Sequence, residues 1–148
     1  MRRLMLTLLW CSLGCSEAVP DEPQLVRLRL ARRPAGRVAV EILDAPVQPV
    51  AFQAEVVIDA GTSFTFDDPQ APEGLPLDTV RLKARGTNRA ILFAADKRGI
   101  RLPRAGDILS FTVVGTGGEG TLRLGTIVIA GEGGVRLAAD RGPDLSIR

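Results

Sequence analysis

The sequence contains no histidine and no tyrosine, and its single tryptophan and both cysteines lie within the first fifteen residues. Histidine is the side chain most often used as a general base, and cysteine and histidine are the usual zinc ligands. Residues 16–148 therefore offer no Ser-His pair, no redox-active cysteine pair and no Cys/His zinc site.

An excess of charge is also missing from most of the chain. Of the 19 Lys and Arg residues, two are Arg2 and Arg3, and the remaining 17 equal the 17 acidic residues. This balance gives no indication of nucleic-acid binding. Hydrophobic residues make up 45% of the 148 residues, which is enough for the core of a single folded domain.

The N-terminus has the pattern of a secretory signal. Arg2 and Arg3 form a basic start, and the apolar run from Leu4 to Leu13 follows it with only two hydroxyl-bearing interruptions. The run is shorter than the about 20 apolar residues that a membrane-spanning helix needs. We therefore assign residues 1–14 to a signal peptide and predict that the protein is exported.

Gly14-Cys15 at the end of this run resembles the lipobox of bacterial lipoproteins, although Ser12 stands where that motif usually has leucine. The resemblance implies lipidation of Cys15, which would become the first mature residue. Residues 15–23, polar with two prolines, then form a short tether. The resemblance predicts a cell-envelope protein anchored in the outer membrane by its N-terminal lipid.

Two alternatives for this region stay open. Ser16-Glu17-Ala18 has small residues at the spacing of an ordinary signal-peptidase site, and cleavage there would release a mature chain starting at Val19. Cys11 and Cys15 could instead form a disulfide or bind a metal as a pair, which their position inside a signal segment does not favour.

The stretch Val50 to Asp59, VAFQAEVVID, alternates for ten residues. Phe52, Ala54, Val56 and Ile58 share one side of such a strand, and Gln53 belongs to the other. We therefore predict that this strand is central in an antiparallel sandwich and that Phe52 is buried.

Shorter alternating segments lie on both sides of this strand. Residues 90–95, AILFAA, are almost continuously apolar and predict a buried strand, and residues 67–77 form the longest predicted loop. About nine strands with frequent turn signals predict an all-β sandwich or barrel in one domain at residues 24–148. The strands are expected at residues 25–30, 38–43, 50–59, 63–66, 79–84, 90–95, 108–114, 122–130 and 135–139, with a candidate last strand at 145–147.

Glycines at 115, 117 and 120 match the spacing of a dinucleotide-binding fingerprint. That fingerprint requires a helix whose N-terminal amides hold the pyrophosphate, whereas the β-branched sequence TLRLGTIVIA follows here. The pattern therefore favours a hairpin loop.

Two groups of carboxylates could chelate Ca²⁺, which takes six to eight oxygen ligands. Asp67 and Asp68 begin the long loop, and Asp140 and Asp144 flank a Gly-Pro turn. Neither group fits the Ca²⁺ loop with alternating Asp or Asn and a central glycine, and aspartate is also a common turn residue. A hydrolase using loop carboxylates is a further alternative, but residues 16–148 lack the tryptophan and tyrosine that usually hold a sugar.

Five arginines fall within eleven residues, with no acid before Glu41. In a protein anchored at Cys15 this segment could contact anionic lipid or lipopolysaccharide head groups. The competing interpretation, which the pattern favours, is a charged edge strand that prevents edge-to-edge aggregation. The five residues are Arg27, Arg29, Arg32, Arg33 and Arg37.

Three stretches in order resemble the cohesin domain and the related carbohydrate-binding β-sandwiches. They are residues 50–59, in which Ile58 replaces an aromatic before Asp59, residues 91–96 followed by Gly99, and residues 106–113 with a Gly, two apolar residues and then Phe. The resemblance implies a nine-stranded jelly-roll sandwich that binds other proteins. Cohesins bind a dockerin, a small calcium-loaded helical module, on one sheet face.

Together these observations predict a non-enzymatic lipoprotein of the cell envelope that carries a cohesin-like interaction or adhesion module. Its partner would be another protein or an envelope component. A carbohydrate-binding module is the alternative, and the missing tryptophan and tyrosine count against it. No catalytic residue is assigned, and Ca²⁺ is the one cofactor for which candidate ligands exist.

Overall fold

The computed structural model describes residues 25–75, 79–96, 98–99 and 101–148. The described residues form ten β-strands and two short 3₁₀ turns. The strands are β1 (Leu25–Arg33), β2 (Arg37–Asp44), β3 (Pro49–Ala60), β4 (Phe64–Gln70), β5 (Val80–Ala84), β6 (Arg89–Ala95), β7 (Gly106–Gly115), β8 (Gly120–Gly131), β9 (Arg136–Asp140) and β10 (Leu145–Ile147).

The strands form two sheets around one core. The first sheet has the order β4-β7-β2-β1-β9 and the second has the order β8-β3-β6-β5, with β10 also paired to β8. β9 pairs with β1 and with β8, so it joins the two sheets. The predicted all-β sandwich is confirmed. All pairs are antiparallel except β1–β9, which is parallel. The sequence predicted an antiparallel sandwich and did not indicate this pair, because an alternating pattern indicates a strand but not its direction.

β3 is central, as its alternation predicts. It pairs with β6 on one side and β8 on the other, and Phe52, Ala54, Val56 and Ile58 are all buried. Gln53, on the other side of the strand, is exposed. The inward residues of both sheets join one hydrophobic cluster, in which the Phe66 and Phe111 rings lie 6.0 Å apart.

β6 departs from the prediction of a buried strand. Ala90, Leu92 and Ala94 are fully buried, but Ile91 is half-buried and Phe93 is 38% exposed. The continuous apolar run suggested burial on both sides, but the second layer of the sandwich covers only one side of this strand.

The long loop is shorter than predicted because β4 continues through Gln70. A bulge at Asp68, where φ is +48°, lets the chain resume its pairing, so that Gln70 lies opposite Ser110 on β7. Asp67 and Asp68 are thus strand residues. Residues 115–120 do form the predicted hairpin, since β7 ends and β8 begins there.

Asn88 holds the turn between β5 and β6 against the segment that enters β4. Its side-chain oxygen accepts a hydrogen bond from the Phe64 amide at 2.6 Å, and its side-chain nitrogen donates to the Thr62 carbonyl at 2.9 Å. The residue is buried and has a φ of +60°, a conformation that asparagine tolerates better than most residues.

Gly142 packs directly on β1 after β9 ends. Its φ is +67°, and a Cβ at this position would collide with the Leu28 carbonyl oxygen. The absence of a side chain therefore lets the backbone at Gly142 lie directly against β1.

Candidate interaction face

The outer side of the β8-β3-β6-β5 sheet, here called the interaction face, exposes an apolar centre. The strand register places Arg81, Phe93, Gln53 and Val128 in one row across β5, β6, β3 and β8. Phe93 is 38% exposed and Val128 is 37% exposed. Because their neighbours along each strand are turned into the core, these side chains point to solvent.

A second row of this face lies one pleat away, with Lys83, Ile91 and Glu55 opposite one another. Glu55 forms a 3.7 Å ion pair with Arg89. A Cβ at Gly125 on the adjacent strand would lie 2.9 Å from the Glu55 carboxylate. Glycine at that position therefore leaves room for the carboxylate beside the apolar centre.

Cations outnumber acids on the interaction face. Arg123 donates a 2.9 Å hydrogen bond to Asp59, and this bond raises the pKa of Arg123. Among the described residues, no carboxylate lies within ion-pair distance of Arg81, Lys83 or Arg136. The face carries four basic residues against two acidic ones, and Arg136 on β9 adjoins it: the basic residues are Arg81, Lys83, Arg89 and Arg123, and the acidic ones are Glu55 and Asp59.

The sequence pattern did not predict this face. It placed Phe93 inside a buried strand, and it could not pair Phe93 with Val128, which is 35 residues away in the chain. The available signal was the alternation of Ala90, Leu92 and Ala94 with Ile91 and Phe93, in which the two alanines mark the side packed against the other sheet.

The arginines singled out in the sequence lie on the other sheet, where four of the five face carboxylates. The hydrogen bond from Arg33 to Asp107 raises the pKa of Arg33. Contact with an anionic surface stays a prediction, and it would have to compete with these carboxylates. The ion pairs are Arg27–Asp44 at 3.7 Å, Arg29–Glu41 at 2.7 Å, Arg33–Asp107 at 2.5 Å and Arg37–Asp68 at 2.5 Å.

The carboxylates considered for Ca²⁺ are not brought together. Asp67 and Asp68 lie on β4, and Asp68 accepts from Arg37 and Gln70. Asp140 ends β9 and accepts from the Gly142 amide, and Asp144 lies in the following turn. Within the described ranges, no three acidic, cysteine or histidine side chains group closely enough to hold a metal ion.

The proposed signal peptide, Cys15 and the tether lie outside the described residues, so lipidation stays a prediction. The described part of the chain has no helix that is long and apolar enough to cross a membrane.

No family model and no curated protein matches this chain. Solved structures do match over most of its length. The seventh ScaB type I cohesin from Pseudobacteroides cellulosolvens covers 83% of this chain and 90% of its own, with 14% identity and a TM-score of 0.64. A non-cellulosomal cohesin from the archaeon Archaeoglobus fulgidus covers 80% and 85%, with 18% identity and a TM-score of 0.54.

A type I cohesin–dockerin complex from Clostridium thermocellum also matches, at 12% identity and a TM-score of 0.60, covering 78% of this chain and 93% of that one. Identities this low establish a likeness of fold. The ten strands around one core thus form a cohesin-like β-sandwich.

Proposed function

We propose that this chain is a non-enzymatic protein-interaction module and that its interaction face is the docking surface. The observation that carries the proposal is the exposed pair Phe93 and Val128 on the outer side of a four-stranded sheet. An aromatic side chain with apolar neighbours inside a polar rim is typical of the core of a protein interface. The matched Clostridium thermocellum structure is a complex of a cohesin with a dockerin, which supports a protein partner.

The size of the face limits the kind of complex it can form. Four strands about 4.8 Å apart, with about eight residues each at about 3.3 Å, give a face of roughly 500 Å². A standard interface buries about 800 Å² on each partner. The partner should therefore also contact neighbouring loops or β9, where Arg136 extends the same surface.

We further propose that the module acts at a bacterial cell envelope, held by a lipid on Cys15. The basic start, the apolar run and the Gly14-Cys15 pair support this part of the proposal. The tether would separate the membrane from β1, which begins at Leu25.

The test begins with the full chain as bait against envelope and secreted proteins of the producing organism. Each retained protein is identified, purified and titrated against the full chain by calorimetry. The double variant Phe93→Asp, Val128→Asp should weaken binding at least tenfold, because it places two charges at the centre of the contact.

Val114→Asp is the matched control, since Val114 is 58% exposed on the outer side of the other sheet. It should leave the affinity unchanged. An equal loss of affinity in both variants, or no loss of affinity in the double variant, would show that the interaction face is not the docking surface. Retention on insoluble glycans in place of any protein would instead favour the carbohydrate-binding alternative.

A further inference from the structure

A cavity of about 310 Å³ opens at the end of the sandwich where β1 passes into β2. Four arginines and several apolar side chains line it, and none of them belongs to the interaction face. Small-molecule sites in proteins start at about this volume and combine apolar walls with a few polar groups. The arginines are Arg32, Arg33, Arg37 and Arg148, and the apolar walls include Phe64 and Val113.

Arg32 has an inward-facing register position on β1, opposite Val38, but it lies at the open end of the sandwich and its side chain is exposed. Val26, Leu28 and Leu30 precede it on the same side of the strand and are 0%, 1% and 6% exposed. The next inward residue is a cation, where the pattern would place another apolar side chain. Its Nη2 donates to the Ser146 carbonyl oxygen, and among the described residues no carboxylate lies within ion-pair distance.

The other arginines differ in how far their charge is already neutralised. Arg33 and Arg37 each lie 2.5 Å from a carboxylate oxygen. Arg148 lies 3.2 Å from Glu119, but both side chains are highly exposed, at 83% and 78%, so this pair is weak. The cavity therefore has one uncompensated guanidinium, on Arg32, and a second that is loosely held.

We infer that this cavity binds a small amphiphilic anion, in which a carboxylate or phosphate head is joined to a short apolar chain. The planar fork of Arg32 can donate two parallel hydrogen bonds to such a head. The apolar chain would lie against Phe64, Val38 and Val113. At about 30 Å³ for each water-sized group, the volume holds roughly ten non-hydrogen atoms, so the last carbons of a longer chain such as octyl would extend out of the cavity mouth.

This chemistry has two sources, a free small molecule and the head group of an anionic lipid. The probes are octyl phosphate, inorganic phosphate and phosphatidylglycerol vesicles, each titrated into the full chain and followed by amide NMR shifts or by vesicle co-sedimentation. We expect saturable binding of octyl phosphate, weaker binding of inorganic phosphate, and shift changes centred on residues 32–38, 64, 113 and 147.

Arg32→Gln should weaken octyl phosphate binding about tenfold to a hundredfold, because a hydrogen bond to a charged group is lost. The matched control is Arg27→Gln, at the other end of the same strand, which should bind as the unchanged chain does. Denaturation melts of both variants establish that each is folded. If Arg32→Gln does not fold, Arg32→Lys, which keeps the charge and loses the fork, should still bind several-fold more weakly.

Vesicle binding that depends on Arg32 identifies a lipid head as the source, and octyl phosphate binding without vesicle binding identifies a free ligand. The inference is overturned if octyl phosphate does not saturate at millimolar concentration, if the shifts map elsewhere, or if Arg32→Gln binds like the control. None of these results tests whether the interaction face binds a protein, because Phe93 and Val128 lie outside the cavity, on the outer side of the other sheet.

Discussion

Replacing Asn88 by glycine should cost about 2–4 kcal/mol of unfolding free energy. The change removes the side-chain acceptor for the Phe64 amide and the side-chain donor to the Thr62 carbonyl. The buried Phe64 amide left without its partner costs about 1–3 kcal/mol, and the part-buried bond to the exposed Thr62 contributes about 1 kcal/mol more. Glycine adopts the φ of +60° without strain, so the loss can be assigned to the side chain.

The alanine variant should cost about 1 kcal/mol more than the glycine variant, because alanine in the left-handed region is strained. Asn88→Asp should also destabilise, since it keeps the acceptor but turns an oxygen toward the Thr62 carbonyl. The backbone bond from the Ile58 amide to the Asn88 carbonyl, at 2.8 Å, is present in all three variants. Its contribution to the free energy of unfolding therefore cancels when the variants are compared.

The assay is guanidinium denaturation of the unchanged chain and the three variants under identical conditions. Gln53→Ala is the control, because Gln53 is exposed and should change stability by less than about 0.5 kcal/mol. A cost below about 0.5 kcal/mol for Asn88→Gly would refute the reasoning, since the turn would then be held by packing and not by the amide.

Two further predictions concern residues of the fold, and a third concerns the N-terminal sequence. Phe52→Ala should cost about 3–5 kcal/mol in the same melts, because Phe52 is 1% exposed at the centre of the core, and a loss below 1 kcal/mol would contradict the central place of β3. Gly142→Ala should cost about 1–3 kcal/mol, because its φ is +67° and a Cβ would meet the Leu28 carbonyl, and unchanged stability would mean that the segment after β9 does not pack on β1. Intact mass of protein from the native membrane fraction should show a chain starting at Cys15 with added acyl mass, whereas an unmodified chain starting at Val19 would exclude the anchor.

The strands could be predicted because their inward residues alternate over enough length. β3 is the clearest case, since Phe52, Ala54, Val56 and Ile58 are apolar and all of them are buried. The ends of strands were harder to predict where turn-forming residues interrupt the apolar alternation. Asp68 and Pro69 suggest a loop, yet a bulge absorbs them and β4 continues.

The candidate site could not be predicted, because it depends on which strands become neighbours. Phe93 and Val128 meet only through Gln53 on β3, and no local pattern encodes that register. Arg32 carries a signal that was present in the sequence, since it follows three apolar residues at the same alternating positions. The sequence could not show that Arg32 lines a cavity, because the cavity is formed by parts of β4, β7 and β10 that come together only in the folded chain.

The parallel pairing of β1 with β9 has a mechanical consequence. β1, β9 and β10 all run in the same direction, so tension applied between Leu25 and Ile147 acts along these strands. In that geometry the hydrogen bonds between β1 and β9 are sheared together, whereas pulling apart the ends of a hairpin breaks its bonds one after another. We expect a higher unfolding force for handles at residues 25 and 147 than for handles across the β5–β6 hairpin, as measured by atomic force microscopy. Equal forces would mean that the parallel pair does not resist extension.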